Sequence, residues 1–508
     1  MISFNNIPDS VRTPGAYTEI DNSRALKGLV ANPHKALIIG QKHNTATGAT
    51  GTAVKDTLYA ISRDNLADGY FGVGSNLARM CNIFKKNNPN TELFALALSG
   101  DGTAKASAAI FFSIFLSHNA GVVSTDGEVV NLMINGSKIT LTLTSGWSVG
   151  LVNSNIKTLI NANSNLPVTA DTTATSALVL QAVNSGVIGN YLDFRFNYYD
   201  GQSYPTCFRA TSGASVLYTG FAGGTGSGSL TDAWAVIEAE QYQHIVQPYI
   251  DSANLTALET ELASRFKPLI DKQGHGYVGT RGTNASCTTE GNARNSPHNI
   301  IIGAYNSPTD PAEWGAALGA VCAWNLNNDP ARPLHTLQLQ GVLPPPIQSR
   351  WSREERDVLL YDGIATFTVD SSGNVLIERA ITTYQRNALG VPDPSYLDIE
   401  TLATLNEIRY QYKVRMISRF IVTRKKLADD TFPAQPGSNI TRPKDVKQEA
   451  VALFTLLRDK GLIENLDDFI TNLIVERNAT DRNRVDVLLP PDLVNQFRVL
   501  AGIIQFIL

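Results

Sequence analysis

Two blocks in which strand-like runs alternate with helical patterns flank a stretch that carries almost no charge, and this alternation limits the fold more than any other feature. Before the stretch come the strand "KALIIG", a helix from Ser75 ("NLARMCNIFKKN"), the strand "ELFALAL" and a helix through Ala104 to Leu116. After it come a helix from Thr231 ("DAWAVIEAE"), the strand "HIVQPYI", a helix through Asn254 to Phe266, the strands "HGYVGT" and "NIIIGAY", and the helix "PAEWGAALGAVCAWN". Parallel strands need a crossover, which a helix fills, so the pattern predicts a mainly parallel sheet covered on both faces. At 508 residues the chain also exceeds what one hydrophobic core usually holds. The expected fold class is α+β / α/β multidomain, with an α/β body, a β-rich insertion domain and a C-terminal α+β domain with extended terminal arms.

Charge marks the boundaries. Residues 106–231 hold only nine charged side chains, whereas residues 350–508 hold 21 of the 42 Lys+Arg and 22 of the 46 Asp+Glu. Between body and C-terminal region lie Pro344 to Pro346, which can continue neither a helix nor a central strand. The expected division is an N-terminal arm at 1–27, a body of 28–118 and 219–349, an insertion at 119–218, and a C-terminal domain of 350–508 ending in an arm at 494–508. Within the insertion, "KITLTLTS" alternates Ile139, Leu141 and Leu143 with Thr140, Thr142 and Thr144, the pattern of a half-exposed strand. "ALVLQAV" and "YLDFRFNYY" repeat it, and "VGLVNSNIKTLINA" reads as a helix between them.

The C-terminal region opens with a helix led by "SREERDVLL", whose acids favour the positive end of the helix dipole. The strands "IATFTV" and "VLIERAITTY" follow, joined by "DSSGN" as a hairpin. From Thr401 a helix of about 26 residues is expected, with Leu402, Leu405, Ile408, Tyr412, Met416 and Phe420 on one stripe. Arg415, Arg419, Arg424, Lys425 and Lys426 crowd its end, either complementing the helix dipole or forming a positive face for an acidic partner. A further helix starts at Pro443 and stops at Gly461. The chain closes on "VNQFRVLAGIIQFIL", apolar on both faces, which asks for cover on both sides and a partner along its edges.

Little in the sequence points to catalysis. "GWSVG" (Gly146 to Gly150) satisfies the nucleophile-elbow pattern, yet the preceding strand exposes a threonine-lined face, so Ser148 or Ser145 reads better as a helix cap. The glycine-rich "GFAGGTGSGSLTD" lacks the Lys-Ser/Thr of a phosphate loop, and "GVGSNL" has Leu77 where a dinucleotide fold needs a small residue. The seven histidines form no metal-ligand spacing, and Glu354 and Glu355, adjacent on a helix, point apart. Cys81, Cys207, Cys287 and Cys322 are widely spaced and read as buried thiols. No cofactor is expected. A net charge of -4 and a pI near 6.0 argue against direct nucleic-acid binding, and no apolar run reaches the ~20 residues a membrane helix needs. The start, "MISFNNIPDSVRTPGAY", has no basic segment followed by an apolar one, so no secretory leader is expected.

Four segments carry a resemblance. "RTPGAYTEID", "FGVGSNLARM", "IERAITTYQRNALGVPDPSYLDIETLATLNEIR" and "NRVDVLLPPDLVNQFRVLAGIIQFIL" together resemble the tail sheath family of Mu-like contractile-tailed bacteriophages, in order from about Val11 to Leu508. The resemblance implies a structural subunit without enzymatic turnover, stacked in hexameric rings around a tail tube and contracting to drive that tube through a cell envelope for genome ejection. It implies as partners further copies of the chain, the tail tube protein, and baseplate and tail terminator proteins, in a virion assembled in the host cytoplasm. It also implies inter-subunit arms that add strands to neighbouring subunits, here Ala16, Tyr17, Thr18, Glu19 and Ile20, and Arg498, Val499, Leu500, Ala501, Gly502, Ile503, Ile504, Gln505, Phe506, Ile507 and Leu508. The C-terminal domain would be tube-proximal, with Arg415, Arg419, Arg424, Lys425 and Lys426 as tube-facing charges, and the insertion would face outward. An extended arm of about a dozen residues reaches ~40 Å, enough to cross to a neighbour. The alternatives are the sheath of a phage-derived contractile bacteriocin and a serine hydrolase using Ser148 with Asp193 and His244.

Overall fold

The strand-like runs of both blocks join one eight-stranded sheet in the computed structural model, which describes residues 13–15, 18, 28–43, 51–98, 103–112, 122–172, 177–208, 218–433 and 439–507. The first block supplies β1 (Lys35–Gly40), β2 (Leu58–Ala60) and β3 (Glu92–Ala97). The low-charge stretch contributes β4 (Lys105–Ile110), β5 (Val129–Ile134), β6 (Ser137–Thr142), β7 (Val168–Asp171), β8 (Leu178–Ser185) and β9 (Phe194–Phe196) to smaller sheets. Then come β10 (His244–Val246), β11 (His275–Thr280), β12 (Asn299–Gly303), β13 (Ile364–Val369) and β14 (Val375–Arg379). The main sheet runs β14-β13-β12-β11-β10-β1-β3-β2, parallel from β13 through β3 and antiparallel at each edge.

Every residue of β10, β11 and β12 is buried, as expected for strands covered on both faces. Alternate residues of β1 enter different cores. Ala36 and Ile38 pack with the helices Asn76–Asn87 and Pro311–Asn328, whereas Leu37 and Ile39 pack with the helix Ser252–Phe266. Each such aliphatic side chain taken from water contributes ~1.5–3 kcal/mol. The helix Pro311–Asn328 seats hard against β11, because a Cβ on Gly279 would lie 1.9 Å from the Pro311 carbonyl oxygen. Only glycine permits that approach.

The chain between Thr103 and Thr225 builds a core of its own, here called the module, from the sheets β4-β8-β7 and β6-β5-β9 and the helix Val149–Ala162. The expected helix through Ala104 to Leu116 is overturned by β4. Ala106, Ala108 and Ile110 are buried while Ser107 is exposed, a period of two that the alanines, good helix formers, obscured. Residues 113–116 of that expected helix lie outside the described residues. β5 and β6 meet at Asn135 and Gly136, both with positive φ (46° and 78°), the geometry that an Asn-Gly hairpin turn requires.

Several ties fasten the module to the body. Asn135 Nδ2 donates to Glu313 Oε1 at 2.9 Å, Arg281 pairs with Asp193 at 2.8 Å, Arg195 donates to Asn306 at 3.1 Å, and Tyr198 Oη donates to the Pro344 carbonyl at 2.7 Å.

Two contact units partition the chain: residues 33–406 with 495–508, and 1–32 with 407–494. The helix Ile399–Met416 carries the chain from one to the other, so residues 350–406 fall with the larger unit. The helix is shorter than the 26 residues expected. It gives way after Met416 to a π-turn at Ile417–Ile421, and the chain then turns away at Arg424, which takes a left-handed φ of 52°. β-Branched Ile417, Ile421, Val422 and Thr423 crowd this last stretch and weaken helical continuation.

In the smaller unit β15 (Lys426–Leu427) pairs with β16 (Ile440–Thr441), β17 (Ile463–Glu464) with β20 (Asp492–Leu493), and β18 (Ile474–Arg477) with β19 (Val485–Leu488). The helix Pro443–Asp459 starts on its proline and is followed by Gly461 at φ 74°, as the sequence predicts. Phe454 stacks on Phe469 of the helix Leu466–Asn472 at 3.9 Å between centroids. No helix of the described residues is long and apolar enough to cross a membrane.

Candidate functional site

The apolar C-terminal segment does not fold into either core. Beyond β20, residues 494–507 lie in neither helix nor strand. Phe497 is 72% exposed, and Val499, Leu500, Ile503, Ile504, Phe506 and Ile507 are more exposed still. Apolar side chains so concentrated in open solvent form an exposed patch of the kind common at interaction sites. Leu508 lies outside the described residues.

The root of this segment is fixed. Arg498 pairs with Asp398 and with Glu400, each at 3.2 Å, and Asp398 is itself held by Arg379 at 2.8 Å. Gln496 Nε2 donates to the Ala331 carbonyl at 3.3 Å. Glu400 is fully buried and accepts from the Leu334 backbone N–H at 3.0 Å. Burial lifts its carboxyl above the usual range, and Arg498 opposes that rise. Arg498 therefore ties the segment to its own chain, and the exposed apolar part begins at Val499.

Of the N-terminal arm residues, Thr18 is exposed; Ala16, Tyr17, Glu19 and Ile20 lie outside the described residues. The five basic residues do not form one helical face, because the helix has ended before three of them. Arg415 pairs with Glu449, which Arg419 also approaches at 3.3 Å. Lys425 Nζ stands over the Phe420 ring at 5.9 Å, and Lys426 lies in β15. Arg419, Arg424, Lys425 and Lys426 are exposed, so the turn is a basic surface from which Arg415 is partly withdrawn.

One feature escaped the sequence reading. β18 and β19 form a hairpin that no third strand joins among the described residues, leaving both outer edges open, and Ile474 and Leu488 at its end are about half exposed. The helix Pro443–Asp459 packs against β18, yet a strand edge without a neighbouring strand leaves ladder groups unpaired and accepts an added strand. The alternation in "IVER" and "VDVL" was the available signal, though each run is only four residues.

Ser148, Asp193 and His244 each have other partners. The Ser148 hydroxyl accepts from Leu151 N at 3.4 Å and caps the helix Val149–Ala162, Asp193 pairs with Arg195 and Arg281, and His244 bonds His34 and Tyr277. No hydrogen bond joins the three among the described residues. Ser148→Ala should lower stability by about 1 kcal/mol through the lost cap, read as a small fall in Tm, and a fluorophosphonate probe should leave Ser148 unlabelled. Labelling would restore the hydrolase reading. Among the described residues no group of three or more His, Cys, Asp or Glu side chains is arranged so that it could hold a metal ion.

Comparison with known proteins gives the chain its relatives. Residues 223–383 match the family described as the phage tail sheath protein central domain, and residues 391–507 the phage tail sheath C-terminal domain. The chain is 36% identical, over the full length of both, to the Mu-like prophage FluMu tail sheath protein of Haemophilus influenzae. Among solved structures it is similar to a sheath tail protein from Desulfitobacterium hafniense (13% identity, 95% of this chain and 97% of that one, TM-score 0.49). It is also similar to the helical sheath of the anti-feeding prophage in its contracted state (11% identity, 98% and 99% coverage, TM-score 0.46).

Proposed function

Because this chain belongs to the phage tail sheath family, we propose that it is a subunit of a contractile tail sheath, a structural polymer in which each copy reaches into the next. The observation that carries the reading is the exposed apolar segment Val499–Ile507, held at its root by Arg498. A segment of that kind is an aggregation hazard unless a defined edge completes it by strand addition. The open hairpin of β18 and β19 supplies such an edge on another copy, with the N-terminal arm at Ala16 to Ile20 as the second added strand. A contact between one copy's arm and another's edge is heterologous, so it propagates into rings or helices rather than closing as a dimer.

The rest follows from that assembly. Hexameric rings stack helically around a tail tube, with the C-terminal region inward and the module outward. The basic turn of Arg419, Arg424, Lys425 and Lys426 faces an acidic surface on the tube protein. The extended array is a kinetically trapped packing, and contraction to a lower-energy packing drives the tube through the envelope for genome ejection. Baseplate and terminator proteins bound the array at its ends, and the assembled sheath is part of the virion. The sheath of a contractile bacteriocin would use the same contacts.

Negative-stain microscopy of the purified protein tests the reading. Rings or tubes about one subunit thick are expected; a strictly monomeric protein at high concentration would sink it.

A further inference from the structure

Four of the seven histidines stand in one row along the amino-terminal edge of the main sheet. His34 precedes β1, His244 opens β10, His275 opens β11 and His298 precedes β12, and these four strands are consecutive neighbours. Ala36 registers with His244, His244 with His275, and Gly276 with Asn299. His34 Nδ1 lies 3.1 Å from His244 Nε2, and His244 Nδ1 lies 2.8 Å from the Tyr277 hydroxyl. The His244 and His275 rings are 6.5 Å apart. His244, His275 and His298 are 1%, 3% and 2% exposed, whereas His34 is partly open to solvent. Neither ring nitrogen of His275, nor Nδ1 of His298, has a hydrogen-bond partner among the described residues.

The row crosses a weak joint. β1 and β10 share only three residue pairs, yet they connect the half of the sheet built before the module to the half built after it. The charged groups around the row are engaged elsewhere. Lys35 beside His34 pairs with Glu240 at 3.2 Å; on the helix Ser252–Phe266, Phe266 packs on His298 at 5.0 Å while Glu261 holds Arg265. Glu259 on the same helix is taken by Asn299 and Arg294, Tyr277 faces Cys322 with Glu400 nearby, and Glu400 is paired with Arg498. Among the described residues no carboxylate pairs with any of the four rings, so a proton on the row would be an uncompensated buried charge beside other imidazoles.

We propose that this row is an acid-sensitive seam: acid favours a form opened at the β1–β10 joint, in which His34 and His244 have parted and taken up protons, so that the two halves of the sheet separate before the module unfolds. Burial pushes His34 and His298 down to about 4, His275 to about 3 and His244 well down. For a base depressed in the folded state, the opened form takes the proton first. The stabilisation is complete above about 6.5 and falls as the pH drops from there through about 4.

Hydrogen exchange of the full chain, corrected for intrinsic rates and read by mass spectrometry, tests this. Between pH 7 and pH 5, opening at β1 and β10 should increase roughly 20-fold for each ring exposed, while β5 and β6 stay protected. The double variant His34→Gln, His244→Gln should lose most of that increase. A parallel rise in the double variant, or an equal rise at β5 and β6, would overturn the seam. Should the variant fail to fold, C2-proton exchange of the wild-type histidines decides: midpoints well below 6.5 support the proposal, and midpoints near 6.5 refute it.

Discussion

Deleting Val499–Leu508 should abolish polymerisation and leave the α/β body folded. Val499, Leu500, Ile503, Ile504, Phe506 and Ile507 are 79% exposed or more in the single chain, so the body forfeits little packing when they go. Docked in a neighbour, each of the large ones would contribute ~1.5–3 kcal/mol, on the order of 10 kcal/mol gross for Val499, Leu500, Ile503, Ile504, Phe506 and Ile507 together. Ordering the segment costs a comparable amount, at ~1–2 kcal/mol per residue of backbone, so the main-chain hydrogen bonds of strand addition are needed for each contact of the array to hold. The cut belongs after Arg498 rather than before it, because Arg498 neutralises buried Glu400 within its own chain. Sedimentation should show monomers at concentrations where the intact protein forms tubes, with Tm unchanged. Persisting tubes would refute the arm; unfolding of the whole chain would mean that the segment pairs at home.

The second large effect is in the core. Arg79, on the helix Asn76–Asn87, pairs with Asp310 at 2.8 Å and also with Glu313, both at the start of the helix Pro311–Asn328. All three are largely buried, with side-chain exposures of 12%, 4% and 8%. Arg79→Ala leaves two carboxylates close together and without a cation, which should cost about 3–5 kcal/mol. Burial raises the Glu313 carboxyl to about 7, and Arg79 is the chief group opposing that rise. Without Arg79 the carboxyl moves higher. A raised acid stabilises the fold at low pH and loses that contribution as pH rises through its folded value, so the variant's deficit should shrink on going from pH 8 to pH 5. Denaturation at both pH values checks the magnitude and the sign; a deficit independent of pH would show that the carboxylates find other compensation.

Where one physical signal acted alone, the sequence was legible. β12 carries the apolar run Ile300 to Ile302, Thr140 and Thr142 point outward from β6 as their alternation predicts, and Pro443 and Gly461 bracket their helix. Where two signals competed, the stronger local one misled. The alanines of β4 read as helix although the strand's burial has a period of two, and the stripe from Leu402 to Phe420 suggested a continuous α-helix where the chain passes after Met416 into a π-turn among β-branched residues. Ion pairs over long separations, such as Arg498 with Glu400 or Arg79 with Glu313, leave no periodic trace. Nor does the histidine row: its members are up to 264 positions apart (298 − 34) and meet only because the strands run parallel in register.

The module leaves and rejoins the body at almost one point. Thr103 N–H donates to the Thr225 carbonyl at 2.9 Å, and the two hydroxyls are 3.0 Å apart. A domain whose ends are clasped in this way can be exchanged for another with adjacent termini without stretching its host. Removing it takes the Asn135 amide from Glu313, but Arg79 and Asp310 stay behind to hold that helix end. The clasp thus makes residues 103–225 a natural grafting position, where lineages of this chain could vary their decoration, or an engineer could splice in a foreign domain, while the parallel sheet beneath stays as it is.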